Sequence, residues 1–343
     1  MLRSHYLDFP LVRGAAVLVV GGLLGVLVWV NRAELPAVGR ALVTARISWL
    51  LVGTLVLVLW WAAWLLLYLA CRRLAGVGGY GEAARLAPVA VGAVALNLVV
   101  KSGGLAGLVL FALDGRRRGM PTGRVAGAYV LAASLADLAL VVTLGAAVAV
   151  VWVDGRLTAG ELVALAVFVV FVAVRLAVVL GAVRDRELLR WLWTLPARSW
   201  DRLRRRSTRR YDTANADELF DAVAPIRSRP GTALPALGYA VCIDVLGAAM
   251  LWAAVAAVGG GSRPVLALVT YAMSALLGIV GMLPGGLGFV EIGAVAMLAS
   301  FGVPVGLAAA AVLLFRVWDY WLPVAVGGTA AWWMRRRVVE AVP

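Results

Sequence analysis

Lys101, Asp137, Arg175, Asp244, Glu291, Arg316 and Asp319 are ionisable residues set inside stretches made almost wholly of Ala, Val, Leu and Gly. A charge in apolar surroundings is costly, so each is first read as functional. Lys101 is the only lysine among 32 basic residues and stands in a Lys101-Ser102-Gly103-Gly104 break. A compact ammonium beside free backbone N–H groups of Ser102, Gly103 and Gly104 suits a phosphate or another anionic headgroup. The alternative is an internal pair with Asp137 or Glu291. Arg175 sits mid-way through Val167 to Val179, too deep to snorkel. It calls for Asp137, Asp244, Glu291, Asp319 or a lipid phosphate as its anion. Arg316 and Asp319, three apart, share a helix face and can pair. Glu291 follows the Pro284-Gly285-Gly286 break by one turn, where the helix dipole favours a carboxylate and where it can also cap. Asn97 is placed to satisfy backbone groups released by the first break.

Other chemistries lack their parts. The one histidine is His5, and the two cysteines, Cys71 and Cys242, make neither a metal spacing nor a disulfide framework. There is no H-E-x-x-H, no Walker A and no histidine to support a G-x-S-x-G elbow. No catalytic residue, metal or cofactor is expected.

The elements that must hold these residues follow from composition. Of 343 residues, 63% are hydrophobic, more than a soluble domain can cover. Apolar segments run over 13–30, 48–70, 87–113, 125–153, 161–183, 234–258, 265–283, 286–301 and 306–333. Several approach the roughly 20 residues that cross a ~30 Å hydrocarbon core. The chain reads as an all-α, polytopic membrane protein forming a single transmembrane domain. The first segment lacks a small-residue cleavage site and reads as a retained helix. Net charge is +14, but the arginines cluster between apolar spans. Anionic headgroups, not nucleic acid, are the matching partner.

Charge also sets orientation. Segment 184–232 carries 12 arginines. It opens with Leu188, Leu189, Trp191, Leu192, Trp193 and Leu195, as an interfacial helix followed by a basic loop would. With Arg335-Arg336-Arg337 it should face the cytoplasm, as should both termini, while 154–160, 259–264 and the loop 31–46 face outward. Loops 71–86 and 114–124 are both basic. A single crossing by 87–113 would separate them, whereas a re-entrant hairpin broken at Lys101-Ser102-Gly103-Gly104 keeps them on one side. Segment 265–301, broken at Pro284-Gly285-Gly286, is either re-entrant or two full spans.

An offset of 182 lays Gly103-Gly104-Leu105 on Gly285-Gly286-Leu287, and Asp137 on Asp319. It also lays 48–70 on 230–252. By charge, 48–70 and 234–258 cross in opposite senses, as do 125–153 and 306–333. The expected architecture is therefore an inverted repeat with two glycine-broken re-entrant or split helices. Its halves are about 13–153 and 161–335, the second including the linker 184–232.

Pro284-Gly285-Gly286-Leu287-Gly288-Phe289-Val290-Glu291, Phe301-Gly302-Val303-Pro304 and Leu314-Phe315-Arg316-Val317-Trp318-Asp319-Tyr320-Trp321-Leu322-Pro323 resemble the transmembrane family of the lysylphosphatidylglycerol synthase flippase domain. Asn97, Gly103-Gly104 and Asp137 resemble its first-half motif. Ser102 and Ser134 stand where that family usually has proline and arginine. The resemblance spans about residues 10–335 and implies lipid translocation between leaflets by a standalone member. Lysyl transfer is not expected. The expected substrate is an anionic phospholipid or polyprenyl-phosphate lipid, contacted by Lys101, Ser102, Gly103, Gly104, Pro284, Gly285, Gly286, Glu291 and Arg316. Asp137, Arg175, Asp244 and Asp319 are expected to form an ion-pair network. The alternatives are a membrane-embedded enzyme or a scaffold for lipid or glycan biosynthesis enzymes.

The orientation is testable. In a Cys71→Ala, Cys242→Ala background, Ser207→Cys should react with a membrane-impermeant maleimide from the cytoplasmic side alone. Labelling of intact cells from outside would reverse the topology.

Overall fold

The computed structural model describes residues 35–100, 104–153, 184–203, 213–222, 228–280 and 284–339, with isolated positions between 166 and 181. The expected helix 13–30, most of 161–183, Lys101, Ser102, Gly103 and Arg175 lie outside the described residues.

Among the described residues there are helices and no strand. The helices are α1 (Leu35–Val43), α2 (Ile47–Leu74), α3 (Ala83–Val99), α4 (Leu105–Arg117), α5 (Thr122–Val153), α6 (Arg186–Leu203), α7 (Ala214–Ala222), α8 (Leu234–Ala257), α9 (Pro264–Val280), α10 (Phe289–Ser300), α11 (Val305–Arg316) and α12 (Leu322–Val339). Five stretches are long and apolar enough to cross a membrane: Ile47–Leu74, Tyr80–Val99, Thr122–Val153, Pro230–Ala257 and Val305–Ala330. This is an all-α polytopic membrane protein.

Each glycine break separates two helices. Segment 87–113 divides into α3 and α4, and segment 265–301 into α9 and α10. Between α11 and α12 the chain widens into a π-helix, Val317–Trp321. Pro323, two residues on, has no N–H to give. The wider turn accommodates that gap without ending the helix.

Two expectations are corrected. Segment 31–46, read as a loop, contains α1; Val38 and Ala41 share a buried cluster with Ala308, Ala311 and Val312 of α11. The linker begins with the expected helix, α6, but its basic loop contains a second, acidic helix, α7. Counter-charge explains α7. Arg186 meets Asp221 at 2.6 Å, and Arg190 meets Asp217 at 2.9 Å and Glu187 at 2.6 Å. Hydrogen bonds to Asp217, then to Glu187, raise the Arg190 pKa above the usual arginine value. Glu218 Oε2 accepts the Gly123 N–H at 2.9 Å, filling one of the donors left over at the start of α5. In a linker so rich in arginine, the short Asp/Glu segment was hidden by net charge.

The 182-residue offset carries α2 onto α8 with its preceding turn, α3 onto α9, α4 onto α10, and α5 onto α11 through α12. It also lays α1 over most of α7. Packing follows the same rule. Contacts α2–α3, α3–α4, α4–α5 and α2–α5 have counterparts in α8–α9, α9–α10, α10–α11 and α8–α11. Helix α3 packs on α12 as α9 packs on α5, and α1 on α11 as α7 on α5. Among the described helices the most extensive contact is α2 on its own counterpart α8.

At that seam Gly53 of α2 receives Trp318 of the π segment; a Cβ there would fall inside the indole. Gly53→Val should therefore destabilise the protein by roughly 1–3 kcal/mol, the usual cost of overpacking. Gly145→Ala, which faces open space, should leave the melting temperature of the detergent-solubilised protein unchanged or slightly raised. Equal melting of the two variants would refute this close approach.

Candidate functional site

The second glycine break is held from three sides. Gly285, Gly286 and Gly288 all have positive φ, at 59°, 65° and 84°. These values suit glycine on steric grounds. Space imposes the same choice: a Cβ on Gly285 would enter the Tyr320 ring, and one on Gly286 would lie 2.8 Å from Gly278 Cα. The backbone groups thus released need partners inside an apolar wall. Glu291 Oε2 accepts the Gly288 N–H at 2.6 Å, capping α10. The Gly285 carbonyl accepts from Arg316 Nη2 at 2.8 Å.

Arg316 is the hub. It is 3% exposed and every nitrogen is engaged. Nε donates to Glu291 Oε1 at 2.6 Å and Nη1 to Asp319 Oδ2 at 3.1 Å. Its guanidinium also lies 4.7 Å from the Tyr320 ring centroid, within cation–π range. Glu291 thus caps a helix and pairs with Arg316 at once, one role per oxygen. Capping was among the readings made from sequence; the pair with Arg316 was not.

The first break is held without charge among the described residues. Gly104, with φ 92°, starts α4. Its carbonyl accepts from the Tyr129 hydroxyl at 2.9 Å. Asn97 Nδ2 donates to Tyr129 at 2.7 Å while Asn97 Oδ1 accepts the Gly107 N–H at 2.9 Å. Asn97 therefore does satisfy the broken backbone. Ser134, which aligns with Arg316 under the offset, bonds back, among the described residues, to the Val130 carbonyl alone.

Between the breaks lies a cavity of about 340 Å³. Its wall combines Asn97 and Asp137 from one half with Asp244, Tyr271, Gly285, Arg316 and Asp319 from the other. Trp60 and Trp64 of α2 add aromatic faces. Asp244, 6% exposed, accepts from Thr143 Oγ1 at 3.1 Å and from the Tyr271 hydroxyl at 3.3 Å. Among the described residues no salt bridge reaches it. Of the residues singled out by sequence, Asp137, Asp244, Gly285, Arg316 and Asp319 meet at this cavity. Glu291 joins through Arg316, Pro284 and Gly286 flank Gly285, and Gly104 bonds Tyr129, partner of the cavity-lining Asn97. Thr143, Tyr129, Tyr271, Trp60 and Trp64 were missed. A lone hydroxyl or indole in an apolar run carries no spacing signal; its role depends on which neighbour it meets.

The family whose signature is the lysylphosphatidylglycerol synthase TM region matches residues 14–327. The chain belongs to this family. That places it among membrane proteins related to lipid handling, and the match covers both breaks and the cavity. No curated protein matches the chain. Ser134 gives this member of the lysylphosphatidylglycerol synthase TM family an unequal pair of breaks: one tied by an amide and a phenol, the other by a buried guanidinium.

Removing one partner of a buried ion pair leaves an uncompensated charge, at a cost of about 3–5 kcal/mol. Glu291→Ala should approach that loss, because it frees both Arg316 Nε and the Gly288 N–H. Glu291→Gln, which can still accept from Gly288, should cost less. Thermal unfolding in detergent compares them; a native-like melting temperature for Glu291→Ala would remove Arg316 from its place as hub.

Proposed function

We propose that this chain is a flippase-like transporter that moves lipid headgroups between leaflets. The cavity carries the reading, because ionisable groups from both halves line one volume beside two glycine breaks. A headgroup crossing hydrocarbon needs such a polar route, while its acyl or polyprenyl chains stay in lipid. The reciprocal packing of the halves supports an inverted repeat, whose rocking about a central site gives alternating access. Membership of a lipid-handling family supports the substrate class.

The proposed substrate is an anionic phospholipid or a polyprenyl-phosphate lipid. Lys101, with the backbone of Ser102 and Gly103, receives the phosphate at the first break. Arg316, held by Glu291 and Asp319, forms the opposite wall. The transporter resides in the cell membrane with both termini cytoplasmic, so that the linker arginines meet anionic headgroups.

A second reading has its own observation. Asp137, Asp244 and Asp319 line one cavity, and carboxylates in differing surroundings can divide acid and base roles. A membrane-embedded enzyme acting on lipid-linked glycan precursors is therefore the runner-up.

Proteoliposomes separate the two. Fluorescent phosphatidylglycerol and a short-chain polyprenyl phosphate are followed by external quenching. Native protein should expose inner-leaflet label, and Lys101→Ala should slow this at least tenfold. Chemically altered lipid recovered without movement between leaflets would favour the enzyme.

A further inference from the structure

Arg316 is fully committed to Glu291, Asp319 and the Gly285 carbonyl. The described lining of the cavity therefore holds more carboxylate than it has guanidinium to offset. Asp244 is the clearest case. It lies on α8, one of several elements that share the cavity wall. Helix α2 brings Trp60 and Trp64, α5 brings Asp137 and Thr143, α9 brings Tyr271 and Ser274, α11 brings Arg316, and the π segment brings Asp319. Of these, only the hydroxyls of Thr143 and Tyr271 bond Asp244 among the described residues. A carboxylate in a low-dielectric wall without a cation is held at high cost.

A metal ion does not suit the position. No group of three or more His, Cys, Asp or Glu side chains able to hold one occurs among the described residues, and hard cations take six or more oxygens. A proton needs a single oxygen. We propose that Asp244 is a proton-binding site that couples headgroup movement to the proton gradient. The inference rests on the transporter reading above.

The coupling follows from charge and from hydrogen bonding. An anionic headgroup and an ionised Asp244 would share about 340 Å³, so each disfavours the other. Headgroup entry promotes proton uptake from water in the cavity, and proton uptake promotes headgroup entry by the same factor, since linkage is reciprocal. The step is O⁻ plus H⁺ giving O–H on one carboxyl oxygen, and no other bond is made or broken. When ionised, Asp244 accepts from Thr143 of α5 and so ties the first half to the second. When protonated, its O–H becomes a donor, and the Thr143 hydroxyl can turn to the carbonyl four residues back in α5. Protonation thus replaces a charge-assisted bond between the halves by a weaker neutral one at the moment the site fills.

Two measurements test this. In weakly buffered micelles, native protein given dihexanoyl phosphatidylglycerol should take up close to a proton per bound lipid, read with a pH dye; Asp244→Asn should take up none. In proteoliposomes, flipping of fluorescent phosphatidylglycerol should rise several-fold when the loading side is acidified, and Asp244→Asn should abolish that dependence. Thr143→Val keeps the carboxyl and loses a donor to its charged form, so the pH of half-maximal uptake should move upward. Uptake by Asp244→Asn equal to native, or an unmoved midpoint in Thr143→Val, overturns the proposal. Proton uptake without flipping would uphold the site and overturn the transporter reading; flipping with no proton uptake would do the reverse.

Discussion

A buried guanidinium is costly inside an apolar wall unless its nitrogens find partners, and Arg316 sets that condition on its surroundings. Nε requires Glu291, Nη1 requires Asp319 and Nη2 requires the Gly285 carbonyl. These three partners come from α10, the π segment and the break between α9 and α10. A shift in any one leaves charge uncompensated in low dielectric, where the desolvation penalty is large. The arginine therefore fixes the distance between the break and the long helix that follows it. It also keeps the chain open at Gly285, where backbone could otherwise close into helix.

The break, in turn, makes the cavity. A continuous helix over 264–300 would carry its backbone polarity inside itself and present only side chains to its neighbours. Splitting it puts the Gly285 carbonyl and the start of α10 at the wall, next to Tyr320 and Gly278. The first half makes its break more cheaply, with Asn97 and Tyr129 supplying neutral hydrogen bonds. Asn97 beside the first break and Gly285 in the second thus line one volume, and the halves that carry them meet along α2 and α8.

Outside the spans, ion pairs act at the surface and are worth little singly. Their role in α6 and α7 is positional. Helix α7 packs on α5 as α1 packs on α11. Glu218 then accepts an N–H at the start of α5. The linker is thereby tied to the first half, although it precedes the spans of the second.

Sequence by itself determined the class, the long apolar helices among the described residues and the two breaks. Apolar length, arginine placement and glycine runs are local properties, and the environment of the bilayer leaves helices few alternatives. It also placed Arg316 with Asp319, because three residues on a helix is a fixed geometry. Tertiary structure decided the rest. Which faces of α2, α5 and α8 turn inward was not legible, since they are apolar on every side and carry no periodic contrast. Asp244 meets Thr143 and Tyr271 across separations of 101 and 27 residues, and no spacing rule reaches that far. Glu291 serving cap and ion pair together depended on Arg316 arriving from 25 residues away. The acidic helix α7 was masked by the charge around it. Local chemistry wrote the elements; only packing of distant elements selected which hydroxyl, indole and carboxylate would share a wall.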